Sequence, residues 1–162
     1  MDMHIEKFEE TIRNQIEYVK ALREKALENV DYNSQFENLG VSVGDAIRHL
    51  FSQFANFLGA TGASKALHLL LPKLIVIWDS KIREDYEVEA NADGFLQFQK
   101  LSKKLVENAL IDFIKEYHVT RDGAIKRILE LRYGKKIKTL AKLIDEFNWA
   151  TKGQNKSRFI QE

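Results

Sequence analysis

The sequence contains no cysteine and only one proline among its 162 residues, and each scarcity excludes a class of structure. Without cysteine the chain has no disulfide framework and no thiolate metal site. One proline and eight glycines leave few breaks, which favours helices over a sandwich or barrel with many turns. We therefore predict an all-α protein. A chain without cysteine is compatible with a reducing compartment, so we expect it in the cytoplasm.

Long apolar runs and common catalytic motifs are also missing. The most apolar segment, residues 67–78, contains Pro72 and Lys73 and is shorter than the ~20 apolar residues of a membrane span. The acidic, amphipathic N-terminus is unlike a signal peptide. No phosphate-binding loop, nucleophile elbow or dinucleotide fingerprint occurs, and the histidines lack metal-ligand spacing. We expect no membrane association, no cofactor and no metal site.

The charge is unevenly distributed although the formal net charge is only +1. Residues 1–46 carry ten acidic and five basic residues, whereas residues 119–162 carry eleven basic and five acidic residues. Such a gradient is typical of a polyanion-binding end, or of two ends that attract each other.

Apolar periodicity predicts four helical segments in the first half of the chain. A first helix is expected at 3–29, followed by a loop at 31–44 and by a helix at 47–58 capped by Asp45. A break from Gly59 to Gly62 precedes a helix at 63–71. The residues 74–77 are expected to form a buried extended stretch or a helical turn, and Asp79 to cap a short helix at 80–83.

The second half predicts three more helices. Asp93 is expected to cap a long helix at 95–118, and Thr120 to cap a helix at 124–133 that Gly134 ends. A last helix is expected at 137–149, before a mobile basic tail at 151–162. Together these elements predict one domain, residues 1–150, built as an orthogonal bundle of six to eight helices.

The segment 58–86, LGATGASKALHLLLPKLIVIWDSKIREDY, is the most informative part of the sequence. The segment contains four features in this order: a glycine-containing turn, a helix that starts with small residues, an extended link, and an aspartate that opens another helix. This order resembles the helix-hairpin-helix superfamily of base-excision DNA glycosylases. The resemblance implies a glycosylase-like helical bundle that binds double-stranded DNA.

The same resemblance implies roles for individual residues. Gly59 and Gly62 would form a hairpin that, with Ser64 at the following helix start, binds a DNA phosphate through backbone amides. Asp79 would be the catalytic aspartate, and Arg83 would continue its helix. Lys65 would be the nucleophile of a bifunctional enzyme, forming a Schiff base with deoxyribose.

A second resemblance is to small uncharacterised microbial proteins, through Ser64–His68, Trp78–Arg83 and 143–149. It implies a shared fold and no chemistry. Structural roles are also open for the same side chains: Asp79 as a helix N-cap or as a partner of Arg83, and Lys65 as a solvated lysine. Trp78 and His68 are expected in the core.

The C-terminal helical pair is basic and is the second candidate region. Its cations are Arg121, Lys126, Arg127, Arg132, Lys135, Lys136, Lys138 and Lys142. Two short helices joined near Gly134 are compatible with a helix-turn-helix that holds DNA phosphates. A solvated helix face would give the same pattern.

The leading hypothesis is therefore a DNA-binding protein of helix-hairpin-helix glycosylase-like build, with base excision as its enzymatic form. The alternative is a non-enzymatic helical interaction or accessory protein, viral or defence-related, that binds a protein partner. A transcription regulator that uses residues 121–149 is a third option.

Overall fold

Seven α-helices account for most of the residues that the computed structural model describes, which are 2–134, 136 and 138–153. The helices are α1 Asp2–Asn14, α2 Ile16–Arg23, α3 Val43–Leu70, α4 Ser80–Asp85, α5 Ala92–Tyr117, α6 Arg121–Tyr133 and α7 Leu140–Asn148. A short π-helix, Trp149–Gly153, follows α7. The all-α prediction is confirmed. None of these helices combines the length and apolar character needed to cross a membrane.

The prediction of one helix at 3–29 is wrong, because the chain forms α1 and α2 and then leaves the helix at Arg23. Gln15 is the joint between α1 and α2. Its side-chain oxygen lies 2.6 Å from Nε2 of His49 on α3. Gln15 is a polar residue among the apolar positions of the predicted first helix, and it therefore bonds to a neighbouring helix. Beyond α2, the amide of Leu27 donates to the carbonyl of Lys73, which holds the following turn against the core.

The predicted loop at 31–44 contains a two-stranded antiparallel sheet. Strands β1 (Gln35–Phe36) and β2 (Val41–Ser42) pair in the register Gln35 to Ser42 and Phe36 to Val41. The prediction of Asp45 as the cap of α3 is wrong, since the Ser42 hydroxyl accepts from the Asp45 amide at 3.0 Å. The Asp45 carboxylate accepts from that hydroxyl at 2.6 Å and also from the Ser42 backbone amide, and the second bond makes the cap reciprocal.

The N-cap of α5 is Asn91, two residues before the predicted Asp93. Asn91, in extended conformation, accepts from the amide of Gly94 at 2.8 Å. Asp93 lies inside the first turn, where its carboxylate is 2.7 Å from Nε of Arg48 on α3. The residue expected to cap α5 therefore links α5 to α3.

The break predicted from Gly59 to Gly62 is confined to Gly59. Only Gly59 leaves helical geometry inside α3, with φ 69° and ψ 171°, a region that is essentially restricted to glycine. Gly62 lies in the helical part that follows, where a Cβ would approach that of Leu58 to 2.8 Å. The kink therefore needs one glycine, and the second glycine allows close packing after it.

The core is centred on α3, α5 and the non-helical segment 74–78 between them. Trp78 is fully buried against Phe51, Phe95 and Phe98, which confirms its predicted place in the core. The segment has no neighbouring strand in the described residues. Instead the buried Gln99 side chain accepts from the Val76 amide at 2.9 Å and donates to the Val76 carbonyl at 2.8 Å.

The C-terminal helices begin at threonine caps. Thr120 caps α6 as predicted, although α6 starts at Arg121, and Gly134 ends it with a positive φ of 61°. The last helix was expected from Ile137 but α7 begins after Thr139, whose hydroxyl accepts from the Lys142 amide. Lys135, Ile137 and the tail beyond residue 153 lie outside the described residues.

Candidate nucleic-acid interface

A cavity of about 450 Å³ lies where the second part of α3 meets α6, α7 and the π-helix. It is lined by Lys65, Ile77, Arg132, Lys142, Asp145, Glu146, Trp149 and Ala150. We call it the tryptophan cleft. Three of its residues, Lys65, Arg132 and Lys142, are among the cations that the sequence analysis associated with DNA.

The cleft mixes three cations with two carboxylates, and the pairs are close. Nζ of Lys142 lies 2.5 Å from Oδ2 of Asp145. Glu146 faces two cations, with Arg132 at 3.5 Å and Lys138 at 3.8 Å. Lys65 is exposed and has no carboxylate within ion-pair distance among the described residues. Lys65 is therefore the cation of this cleft with the least internal compensation.

Glu146 also fixes the end of α6. The Tyr133 hydroxyl donates to Oε2 of Glu146 at 3.0 Å. Burial and the neighbouring Glu146 raise the pKa of Tyr133 to about 12, which strengthens the preference for the protonated phenol that donates to Glu146. The Glu146 carboxylate thereby joins Tyr133, Arg132 and Lys138 on one side of the cleft.

Trp149 forms an exposed aromatic wall of the cleft, with 54 % of its surface accessible. Its position follows from the residue before it. Asn148 is fully buried and its Oδ1 accepts from the Tyr86 hydroxyl at 2.8 Å, while Tyr86 packs edge-on against Phe98 of the core. Sequence reasoning treated Trp149 only as a helix end. The signal available in the sequence was a tryptophan close to a basic segment.

The predicted phosphate-binding hairpin residues differ in accessibility. Gly59 is exposed at the kink, and Gly62 is partly buried within the helix. Ser64 is fully buried, and its hydroxyl lies 3.0 Å from the carbonyl oxygens of both Thr61 and Trp78. Ser64 therefore binds the segment 74–78 to α3 and does not present its side chain to a DNA backbone.

The two predicted catalytic residues lie in different surroundings. The Asp79 carboxylate accepts from the Ile82 amide at 2.8 Å and caps α4, which is the structural role that the sequence left open. Asp79 is not among the residues that line the tryptophan cleft, whereas Lys65 is. Arg83 and Asp79 form no ion pair in the part of the chain described, and the Arg83 guanidinium lies 5.6 Å from the centroid of the Trp78 ring.

The remaining cations of the basic pair differ in the groups that they contact. Arg121 donates to the carbonyl of Glu28 at 2.5 Å and so attaches α6 to the turn after α2. Lys126 lies 3.9 Å from Glu130, and the Arg127 guanidinium 5.9 Å from the Tyr117 ring centroid. Lys136 is exposed. In the described residues, the carboxylates that pair with this basic region come from α6 and α7 and not from the acidic N-terminus.

The described residues hold no group of three or more His, Asp or Glu side chains arranged to bind a metal ion. No protein-family model matches the chain, and comparison with characterised proteins and with solved structures gives no significant match.

Proposed function

We propose that this protein binds DNA through the tryptophan cleft and the exposed cations beside it. The observation that carries the proposal is Trp149, a half-exposed indole in a cavity that also presents Lys65, Arg132 and Lys142. Aromatic faces stack on unpaired bases, and lysine and arginine neutralise the phosphates that connect them. One cavity that offers both groups suits a nucleotide taken out of the base stack, or a single strand.

The proposal includes a helix-hairpin-helix glycosylase-like build. The single-residue kink at Gly59, the helix that carries Lys65 after it and the aspartate cap that opens α4 support this part, because they follow one another in the order of that family. Base excision is the enzymatic form of the same proposal. The presence of Lys65 in the cleft lining supports it, since a nucleophilic amine must reach the sugar of the bound nucleotide.

DNA binding can be measured by fluorescence anisotropy with a labelled duplex and with the corresponding single strand. We expect both to bind at about 50 mM salt, and affinity to fall steeply towards about 200 mM as condensed counterions compete. Lys65→Glu and Trp149→Ala should each weaken binding about tenfold, because one reverses a phosphate contact and the other removes a stacking surface. The matched charge control is Lys20→Glu on α2, outside the cleft.

Three results would overturn the DNA-binding proposal. These are no binding of either DNA at low salt, an affinity that does not depend on salt, or an equal loss in Lys20→Glu and Lys65→Glu. The first two would favour the alternative, a helical protein that binds another protein, and the third would show that DNA does not bind at the tryptophan cleft.

The enzymatic form has its own test on duplexes that contain a damaged base or an abasic site. Borohydride should trap a covalent complex that Lys65→Gln abolishes, because the trapped species is the lysine Schiff base. Asp79→Asn is informative because asparagine is as good an N-cap as aspartate, so α4 is retained. Base release that Asp79→Asn leaves unchanged would exclude a catalytic carboxylate at this position while leaving DNA binding untouched.

A further inference from the structure

A second cavity of about 660 Å³ lies between the turn at 30–33 and the middle of α5. It shares no lining residue with the tryptophan cleft. Its lining combines three lysines, two carboxylates, a tyrosine and an exposed isoleucine, which are Lys100, Lys103, Lys104, Asp31, Glu107, Tyr32 and Ile111, and we call it the lysine cleft. Its volume is within the range of roughly 300–1,000 Å³ of small-molecule sites.

Two of the three lysines have no acidic partner in the described residues. Lys103 forms an ion pair with Glu107 one turn further along α5, and both side chains are partly buried. Lys100 and Lys104 are exposed, stand one helical turn apart on the same face, and have no carboxylate within ion-pair distance in the part of the chain described. Two neighbouring ammonium groups of this kind suit a dianion.

Tyr32 adds a buried polar group to the same cavity. The residue is 7 % exposed, and in the described residues no hydrogen-bond partner is present for its hydroxyl. Burial, with a smaller contribution from Glu107, raises the pKa of Tyr32. A buried hydroxyl without a partner destabilises the fold. Its oxygen has almost no accessible surface in this structure, so the Tyr32 side chain must move towards the cavity before an acceptor on a ligand can satisfy it.

The apolar part of the lining indicates that the ligand is more than an inorganic ion. Val30 is buried at one wall, and Ile111 is 59 % exposed at another. A branched apolar side chain left this accessible can pack against a ring or a short alkyl chain.

We infer that the lysine cleft binds a small organic phosphate monoester, with the phosphate at Lys100 and Lys104, an acceptor of the ligand at Tyr32 and an apolar group against Ile111. This site is separate from the proposed DNA interface. A phosphate group is the shared chemistry of a small monoester and of a nucleic-acid backbone, so the test must distinguish these two sources.

The probe is phenyl phosphate, titrated into the full chain and followed by calorimetry at low salt. We expect saturable binding with a Kd below about 1 mM, at least tenfold weaker in the Lys100→Gln/Lys104→Gln double variant. Lys115→Gln, which removes an exposed lysine of α5 outside the cleft, should bind as the unsubstituted protein does. No saturable heat up to about 10 mM, or the same Kd in the double variant, would overturn the inference.

Tyr32→Phe separates a ligand contact from a packing role. Because the hydroxyl has no protein partner in the described residues, its removal should leave the thermal midpoint unchanged or raised, while phenyl phosphate should bind about fivefold more weakly. An unchanged Kd in this variant would contradict the role of Tyr32, and equally tight binding of inorganic phosphate would contradict the role of the apolar wall.

DNA titrations distinguish the small-molecule site from the proposed DNA interface. The Lys100→Gln/Lys104→Gln variant should bind the labelled duplex as the unsubstituted protein does. Loss of DNA affinity in this variant would assign the lysine cleft to nucleic acid and overturn the small-molecule inference. Failure of the protein to bind DNA at all would leave the phenyl phosphate result independent of it.

Discussion

Replacing Gln99 by leucine should lower the free energy of unfolding by about 2–5 kcal/mol, although leucine keeps most of the side-chain volume. The Gln99 amide is fully buried and bonds to both the N–H and the C=O of Val76. Leucine would leave both backbone groups buried without a partner, and each such group costs about 1–3 kcal/mol. The non-helical segment 74–78 would lose the interaction that replaces a neighbouring strand.

The measurement is equilibrium denaturation of Gln99→Leu beside a matched control on the same helix. Gln97→Leu makes the same chemical change at an exposed position two residues earlier, and it should stay within about 0.5 kcal/mol of the unsubstituted protein. Equal stability of the two variants would show that Val76 finds other partners and would remove Gln99 from this role.

Substitution of Gly94 by alanine should destabilise the protein by about 3 kcal/mol, because a Cβ there meets main chain and not a movable side chain. An alanine Cβ would lie 2.1 Å from the carbonyl oxygen of Glu89 and 2.8 Å from its nitrogen. Gly94 is the third residue after the Asn91 cap, and the chain before the cap crosses directly over it. To accept a methyl group, the 87–91 turn would have to move away from α5.

Gly123 offers a control in the equivalent position of another helix. It is the third residue after the Thr120 cap, but a Cβ there meets only the Thr120 hydroxyl at 3.1 Å and the Val119 Cβ at 3.6 Å. Alanine is more favourable than glycine in a helix by up to about 1 kcal/mol, which should offset the close contact with the Thr120 hydroxyl. The free energy of unfolding of Gly123→Ala should therefore stay within about 0.5 kcal/mol of that of the unsubstituted protein. Thermal or urea unfolding of both variants measures the difference. A Gly94→Ala protein as stable as Gly123→Ala would show that the Glu89 backbone moves at little cost.

The features that sequence reasoning predicted well are those encoded within one or two helical turns. Thr120 caps α6, Asp79 caps α4 and Gly134 ends α6, each through contacts between residues close in sequence. The burial of Trp78 also followed from the apolar segment around it. Local chemistry of this kind needs no knowledge of the tertiary arrangement.

The features that were missed depend on residues far apart in the chain. Gln99 lies 23 residues from Val76, and Gln15 lies 34 residues from His49, so neither hydrogen bond has a local signature. A polar residue in an apolar stripe is read from sequence as an interruption, whereas here Gln15 and Gln99 bond to groups on other elements. The caps at Ser42 and Asn91 were missed for a smaller reason, since an aspartate nearby competed for the same assignment.

The tryptophan cleft could be predicted only in part. Lys65 and Arg132 were candidates for separate reasons, and nothing in their spacing indicates that α3, α6 and α7 bring them to one cavity. Trp149 was not a candidate because a tryptophan at a helix end is usually packed. Its exposure depends on the buried Asn148, whose bond to Tyr86 joins positions 62 residues apart.

The kink at Gly59 determines where the second part of α3 can go. A straight α-helix of 28 residues would be about 42 Å long, which is comparable with the width of about 40 Å expected of a compact chain of this size. The absence of a side chain at position 59 permits the kink that changes the direction of this helix, so the backbone at one exposed residue helps to determine that Lys65 and Trp149, 84 positions apart, line one cavity.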